Sequence, residues 1–454
     1  MKTLLKRAKR SALDIITGSG RSASSVTLLP PHASQIKYIF FKYSHWKDIQ
    51  IFSEANPGPL PLLHTLRINA VNEFNMDGPD TMTPPSLPLF RNAVNLKVLV
   101  LDSAGLPFLH HFVFPNLTEL ELSARSVGPA LPVRFRASQL LDFLEASPML
   151  RTVYIKVIGD ILFEGVPREN PVMLPNVEAF SLVVSDGGHG YGVMAHISCP
   201  SARHTSLVHE RDARNATLHE IFPTSIPWNA IVRQHTRSSV EEVTFEIKFA
   251  RDPIIECSLT FRSVDEAVLT LDFQVAAGDD DEDELQIPLG ELQYEVFHQA
   301  SRTIRDHPLL ANVKRLFLDH GVVVFGTPEF PRFSAEVARL FKSVGPLEKL
   351  STYGCDLYLF FNPSPNPPGF HDTERPVVFP PIRELVISHP FHTHNDEMCM
   401  ATIVEFARSR HALGIPFERM TVCMERLPTV MAERLGPWVG AVECYEEMML
   451  DEDY

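Results

Sequence analysis

The chain has 454 residues, 44% of them hydrophobic, and a formal charge of −15 at pH 7. That length exceeds one ordinary core, so either two or three globular domains or one elongated repeat array is expected. The acidic balance argues against a general nucleic-acid binder, which needs a basic face to displace counterions from phosphates, and no stretch approaches the ~18 apolar residues of a membrane span.

At the N-terminus, MKTLLKRAKRSALDII carries its charges after its only leucine pair and lacks an apolar core, so it does not read as a secretory signal. Its acid-free start up to Asp14 leaves a mitochondrial presequence as the alternative. Gly18-Ser19-Gly20-Arg21-Ser22 has the composition of a phosphate loop but neither its lysine nor a preceding strand, and reads as a flexible linker. Residues 1–30 are accordingly assigned to an N-terminal linker segment.

From residue 31 onward one phrase recurs: apolar-x-x-apolar-x-apolar, often with a proline one or two residues upstream. Its plainest copy lies in FPNLTELELSA, residues 114–124, where the polar residues carry no recognisable chemistry. In chain order the strong copies are Leu63-Leu66-Ile68, Leu96-Leu99-Leu101, Leu117-Leu120-Leu122, Leu150-Val153-Ile155 and Val177-Phe180-Leu182. Val313-Leu316-Leu318, Ile382-Leu385-Ile387 and Phe417-Met420-Val422 follow. Weaker copies are Ile36-Ile39-Phe41, Ala202-Thr205-Leu207, Val240-Val243-Phe245 and Leu347-Leu350-Thr352. Apolar residues two apart in a strand face one side, and the residue three earlier joins them from the preceding loop. One such unit cannot bury that face, whereas stacked units cover one another.

Amphipathic helices are predicted between copies. Gln139–Leu144 precedes Ser147-Pro148. Ser334 is read as the N-cap of a helix bearing Val337, Leu340, Phe341 and Val344 and stopped by Gly345-Pro346. Asp396 starts a helix carrying Met400, Ile403, Val404 and Phe406 and closed by Gly414 and Pro416. The rhythm breaks in the middle, where Val243 to Phe249, Ile255 to Phe261 and Leu269 to Val275 alternate at period two and read as three longer strands. The acidic run Asp279-Asp280-Asp281-Glu282-Asp283-Glu284 follows, then a helix over about 291–305. Asn362 to Gly369 is a proline-rich exposed loop.

The fold class expected is α/β: an irregular leucine-rich-repeat solenoid, a curved horseshoe with an extended-strand middle insertion. Its first arc is assigned to 31–250, the irregular β insertion with its acidic loop to 251–290, the second arc to 291–446 and an acidic tail to 447–454.

These phrases, with the N-terminal Leu4-Leu5-Lys6-Arg7-Ala8-Lys9-Arg10-Ser11-Ala12-Leu13-Asp14-Ile15 and Leu29-Pro30-Pro31-His32 before Ile36, resemble the fungal, basidiomycete-type F-box proteins with divergent leucine-rich repeats. In that family a linker of this kind follows the F-box helices, which dock a cullin-linked adaptor, and Ala8 and Ala12 stand where the family has serine and proline. This chain starts at the linker, so the expectation is either a fragment or a member without the adaptor-binding module. The resemblance implies a substrate-recognition subunit of a cullin-type ubiquitin ligase.

Sites for chemistry are sparse. Six cysteines, Cys199, Cys257, Cys355, Cys399, Cys423 and Cys444, form no Cys-x-x-Cys pair and read as reduced, mostly buried thiols of a cytoplasmic or nuclear protein. Gly187-Gly188-His189-Gly190-Tyr191-Gly192 reads as a flexible loop without a nucleophile. His389, His392 and His394 with Asp396 and Glu397 are the densest potential metal ligands, read first as a polar loop. No nucleophile-base or paired-carboxylate arrangement stands out, so the expectation is a protein that is not an enzyme, with no cofactor and no metal.

What remains is surface. Between the last two apolar residues of each phrase stands one residue facing away from the core, and in a curved solenoid these line the concave sheet. The row is Arg67, Val100, Glu121, Tyr154, Ser181, Ser206, Thr244, Phe317, Ser351, Val386 and Thr421. Arg67, Glu121, Tyr154, Ser181, Thr244, Phe317, Ser351 and Thr421 are the candidate binding residues for an unknown target protein, with Tyr154 and Phe317 as aromatic anchors. Neither nucleic acid nor membrane is an expected partner. A repeat scaffold unrelated to ubiquitination is the alternative, and a metal protein using loop 389–397 is a third reading.

Overall fold

A computed structural model describes residues 11–18, 30–44, 46–55, 59–70, 93–102, 114–125, 134–158, 162–164, 170–184, 189–212, 231, 240–249, 254–263, 268–276, 291, 294–295, 297–298, 301–302, 305, 312–320, 330–353, 381–388, 396–424 and 428–446. The chain divides into two compact units. Unit 1 comprises Met1–Glu210 with Ser225–His235, and unit 2 Arg211–Thr224 with Thr236–Tyr454.

Unit 1 begins with β1 (Leu13–Gly18), a 3-10 turn (Pro30–Gln35), β2 (Ile36–Ser44), α1 (Trp46–Ala55), β3 (Thr65–Ala70), β4 (Val98–Asp102) and β5 (Glu119–Arg125). It continues with β6 (Arg134–Arg136), α2 (Ala137–Glu145), β7 (Thr152–Ile158), β8 (Leu162–Glu164), β9 (Val172–Met173), β10 (Ala179–Val184), α3 (His189–Ala195), β11 (Ile197–Ser198) and β12 (His204–Asp212). The strand order is β1-β2-β3-β4-β5-β7-β10-β12, every neighbouring pair parallel. The short strands form two separate parallel pairs, β6 with β8 and β9 with β11.

Register puts like positions of the phrase side by side. Ile39, Leu66, Leu99, Leu120, Val153, Phe180 and Thr205 make one continuous row, and each is buried. Phe41, Ile68, Leu101, Leu122, Ile155, Leu182 and Leu207 make the next. Slipping any strand by one residue would turn its apolar set outward, so the core itself fixes the stacking. Helices seal this face: Ile49 and Phe52 of α1, Leu140, Leu141, Phe143 and Leu144 of α2, and Val193 and Met194 of α3 are buried. Phe52 meets Phe41 edge-on at 5.1 Å and Phe143 meets Phe114 at 6.4 Å.

Unit 2 contains β13 (Val240–Phe249), β14 (Ile254–Ser263), β15 (Val268–Ala276), β16 (Arg315–His320), α4 (Phe330–Ser343), β17 (Leu347–Tyr353), β18 (Ile382–Ser388), α5 (Asp396–Ala412), β19 (Arg419–Met424), α6 (Pro428–Leu435) and β20 (Ala441–Glu446). Its order is β15-β14-β13-β16-β17-β18-β19-β20. The first three strands form an antiparallel meander and the rest pair in parallel. Two core rows again run through it, one from Leu269 through Phe261, Val243, Leu316, Leu350 and Leu385 to Met420. Phe297 packs against Phe245 at 5.2 Å and Phe406 against Phe417 at 5.3 Å. Among the described residues each unit is thus a mixed α/β structure dominated by sheet, and neither strand order closes into a barrel.

Several sequence expectations shift. Residues 13–18, assigned to the linker, form β1, because Ile15 joins the Ile39 row and gains burial there. A strand therefore does precede Ser19-Gly20, although the lysine of a phosphate loop is still missing. The boundary expected at 250 does not divide the units: β13, placed in the first arc, and β14 and β15, placed in an insertion, share one ladder within unit 2. Ser334 lies inside α4, which starts at Phe330 with Pro331 in its first turn, where a missing N–H costs nothing. His189 to Gly192, read as loop, open α3, because buried Val193 and Met194 draw the segment onto the core. Asp396 does start α5, and its end is a Schellman turn: Gly414 has φ +76°, its N–H donates to the His411 carbonyl at 3.0 Å, and that of Ile415 donates to Arg410 at 3.1 Å.

Candidate functional site

Alternation along each strand sends the residues between the core positions to the opposite face. In unit 1 the middle row of that face runs Phe40, Arg67, Val100, Glu121, Tyr154, Ser181, Ser206 in strict register. In unit 2 it runs Thr270, Thr260, Thr244, Phe317, Ser351, Val386, Thr421, Glu443. The residues expected to form one exposed row do stand side by side within each unit. Arg67 and Glu121 are exposed; Tyr154, Ser181, Thr244, Phe317, Ser351 and Thr421 are half-buried among their neighbours.

The sequence row was one of three. In unit 1 the row beyond it holds Asn69, whose amide donates to Asp102 at 2.9 Å, and Lys156, which reaches across β10 to Glu210 at 3.0 Å. In unit 2 the row before it holds Arg262, Glu242, Arg315, Lys349, Glu384 and Arg419. Arg262 and Arg315 pair with Glu242 at 3.6 and 3.4 Å, and Arg419 with Glu384 at 3.8 Å. The unit 2 face is therefore a hydroxyl-rich file containing Phe317 beside a file of paired charges.

The recurring proline and asparagine acquire a role at the turns before β3, β4, β5, β7, β10 and β12. Leu63, Leu96, Leu117, Leu150, Val177 and Ala202 each donate their N–H to the carbonyl three residues earlier at 3.0–3.3 Å. Proline suits the second place of such a turn because its φ is fixed there already. At the third place Asn95 donates to the Pro61 carbonyl at 2.8 Å, Asn116 to Val94 at 2.9 Å and Asn176 to Pro148 at 3.0 Å, and Ser201 donates to Pro175. Four of the six turns are thereby tied to the turn before; Leu62 and Met149 hold the third place in the other two.

The densest buried charge belongs to unit 2. Glu336 of α4 is 0% exposed. Ser301 and Arg305 donate to its Oε1 at 3.1 and 2.9 Å, Arg339 to its Oε2 at 2.9 Å, and His298 Nδ1 lies 3.2 Å from Oε2. Burial alone would raise its pKa; Arg339, His298, Arg305 and Ser301 outweigh that and hold the carboxyl below its ordinary value. Both oxygens are thus occupied by the protein's own donors, which makes the cluster a clamp between α4 and the residues His298, Ser301 and Arg305. Arg410 is a second buried charge: its Nε donates to the Ile415 carbonyl at 3.2 Å, and its guanidinium lies 4.5 Å over the Phe417 ring. Burial pulls it down to about 10. Burial pushes the Cys199 thiol up to about 12 and raises Cys257 likewise, so neither is a ready thiolate.

His389, His392 and His394 lie outside the described residues, as do the 279–284 run, the 362–369 loop and the 447–454 tail, while Asp396 and Glu397 open α5. Among the described residues no three His, Cys, Asp or Glu side chains gather as metal ligands, and no helix is long and apolar enough to cross a membrane. Neither a family model nor a curated protein matches the chain.

Proposed function

We propose that the chain is a leucine-rich-repeat solenoid that binds a target protein on its concave sheet face and performs no chemistry itself. The role it resembles is that of the substrate-recognition subunit of a cullin-type ubiquitin ligase. The observation that carries the reading is the register that aligns Arg67, Glu121, Tyr154 and Ser181 in unit 1, and Thr244, Phe317, Ser351 and Thr421 in unit 2. Strands lie about 4.8 Å apart, so the stretch from Arg67 to Ser206 offers a strip about 24 Å long; three outward rows make it about 13 Å wide, enough to seat one helix. Half-buried Tyr154 and Phe317 are preordered aromatic anchors.

The test is co-purification of the full-length gene product with a cullin adaptor, alongside Tyr154→Ala and Phe317→Ala variants. Adaptor and cullin recovered with the protein, and a bound target lost from the variants, support the ligase role. A target retained through the face with no adaptor in the complex favours a scaffold unrelated to ubiquitination. Metal analysis of the purified protein, with His392→Ala and His394→Ala, tests the third reading, in which loop 389–397 holds an ion.

A further inference from the structure

A second surface of unit 1 lies outside the face just described and does not depend on that reading. Lys37 near the start of β2 and the residues leading into β3, β4, β5, β7, β10 and β12 form a file in which Lys37, Lys97, Arg151 and Arg203 are separated by His64, Thr118 and Glu178. Each member's N–H donates to the carbonyl of the one before it at 2.8–2.9 Å, so the file cannot slip. Cations therefore recur at every second strand, about 9.6 Å apart. All four are exposed, and among the described residues none of them has an ion-pair partner.

Immediately behind this file, the turns present an apolar ledge. Leu62 is 52% exposed, Val94 54% and Met149 46%, and Pro61, Pro115 and Pro148 are exposed beside them. Large apolar side chains held open in three of the four turns before β3, β4, β5 and β7, alongside cations with no ion-pair partner among the described residues, are what a partner with both apolar and acidic groups would cover.

We propose that this edge docks an acidic segment of another protein in polyproline II conformation, lying across the strands. Such a segment repeats every three residues with a rise of about 3.1 Å per residue, so every third side chain projects on one side about 9.3 Å from the last. An acidic residue at every third position meets Lys37, Lys97, Arg151 and Arg203 in turn, and the proline and apolar residues between them lie on Leu62, Val94 and Met149. Nucleic acid fits less well: its phosphates follow at about 3.4 Å of axis per strand, far denser than these cations, and would have to pass Glu178.

The experiment is fluorescence anisotropy with the whole chain and a labelled twelve-residue peptide, Glu-Pro-Leu repeated four times. An isomer of the same composition with its four glutamates clustered is the control. The spaced peptide is expected to bind at least fivefold more tightly than the clustered one, and to weaken as salt rises from 50 to 300 mM. The double variant Lys97→Glu, Arg151→Glu is expected to lose at least tenfold with an unchanged circular dichroism spectrum. Val94→Ser with Met149→Ser, which leaves every charge in place, is expected to lose threefold or more. Equal affinity for the two isomers, or no effect of either variant, overturns the proposal. So does tighter binding of a twelve-nucleotide thymidine oligonucleotide that the charge variant abolishes. Peptide binding that appears only after residues 279–284 are changed to Asn and Gln assigns the file to the chain's own acidic run and likewise overturns it.

Discussion

The two units start their strands in different ways. In unit 1 a tight turn precedes β3, β4, β5, β7, β10 and β12, with proline at its second place in all but the β4 turn, and asparagine or serine side chains tie four of the six turns to the one before. In unit 2 the leading file alternates in sign: Glu241, Lys314, Glu348, Arg383, Glu418, then Gly440. Lys314 pairs with Glu241 at 3.3 Å and Glu348 at 3.9 Å, and Arg383 with Glu418 at 3.7 Å. In unit 1 the turns are tied by uncharged side chains, and the cations of the leading file have no ion-pair partner among the described residues, while in unit 2 the leading file pairs its own charges. Position in the ladder does not dictate chemistry: the same place serves register in one unit and is available to a partner in the other.

The comparison breaks at its root if the cores differ as well. Leu120 and Leu385 hold the same place in the phrase, one in each unit, and both are fully buried. Leu120→Ala and Leu385→Ala are each expected to cost about 2–5 kcal/mol, with the two values agreeing within about 1 kcal/mol. Urea unfolding followed by circular dichroism measures both. A loss below 1 kcal/mol at either site would mean that its row is not a shared interior.

Charge enters the interior of unit 2 at Glu336. Glu336→Gln leaves Arg305 and Arg339 facing a neutral amide, and is expected to cost about 2–3 kcal/mol at pH 7; the buried-pair figure is reduced because both arginines reach water. The sign with pH follows from a folded-state pKa below the ordinary 4.5. The ionised carboxylate's contribution is fully present above that value and declines as pH falls through it toward the lower folded-state pKa. Wild type and Glu336→Gln should therefore differ most near neutrality and begin to converge as pH falls below 4.5, as read by urea midpoints across that range.

Gly440 stands just before Ala441, the partner of Arg419, and so ends the unit 2 file by register, although its N–H donates to the Phe417 carbonyl. A Cβ at Gly440 would sit 2.8 Å from the Glu418 carbonyl oxygen, a backbone atom that cannot turn aside. Gly440→Ala is expected to cost about 1–3 kcal/mol. Gly192→Ala meets open space in α3 and is expected to be neutral or slightly stabilising in the same thermal melt.

The strands were legible because their signal is local: an apolar residue at every second position, with a proline just upstream, survives in a single reading of the chain. Every copy of the phrase, strong or weak, supplies a strand and its core contacts, and the three alternating runs became β13, β14 and β15. What stayed hidden depends on neighbours far away in sequence. Asn116 looked idle until register set it against Val94 of the previous turn, and Lys314 gains its meaning from Glu241, 73 residues earlier. β20 escaped notice for another reason: as the last strand of its order its inward residues are Val442 and Cys444, only half-buried, and they make a faint copy of the phrase with Val439. β1 fails similarly, because Thr17 stands opposite Phe41 where an apolar residue would have marked it.

The smallest effect discriminates best between the two leading files. Lys314→Glu places three carboxylates in succession with Glu241 and Glu348, and should destabilise by about 0.5–1 kcal/mol at low salt, fading as ionic strength rises. Lys97→Glu changes the same place in unit 1, between His64 and Thr118, and should fall within about 0.5 kcal/mol of wild type at any salt. Paired melts at 20 and 500 mM salt read the difference. If Lys97→Glu proves as costly and as salt-sensitive as Lys314→Glu, the unit 1 cations are holding their own fold together and are not open to a partner. If it is silent in stability while weakening the acidic peptide, one ladder position has been put to two uses by its neighbours alone.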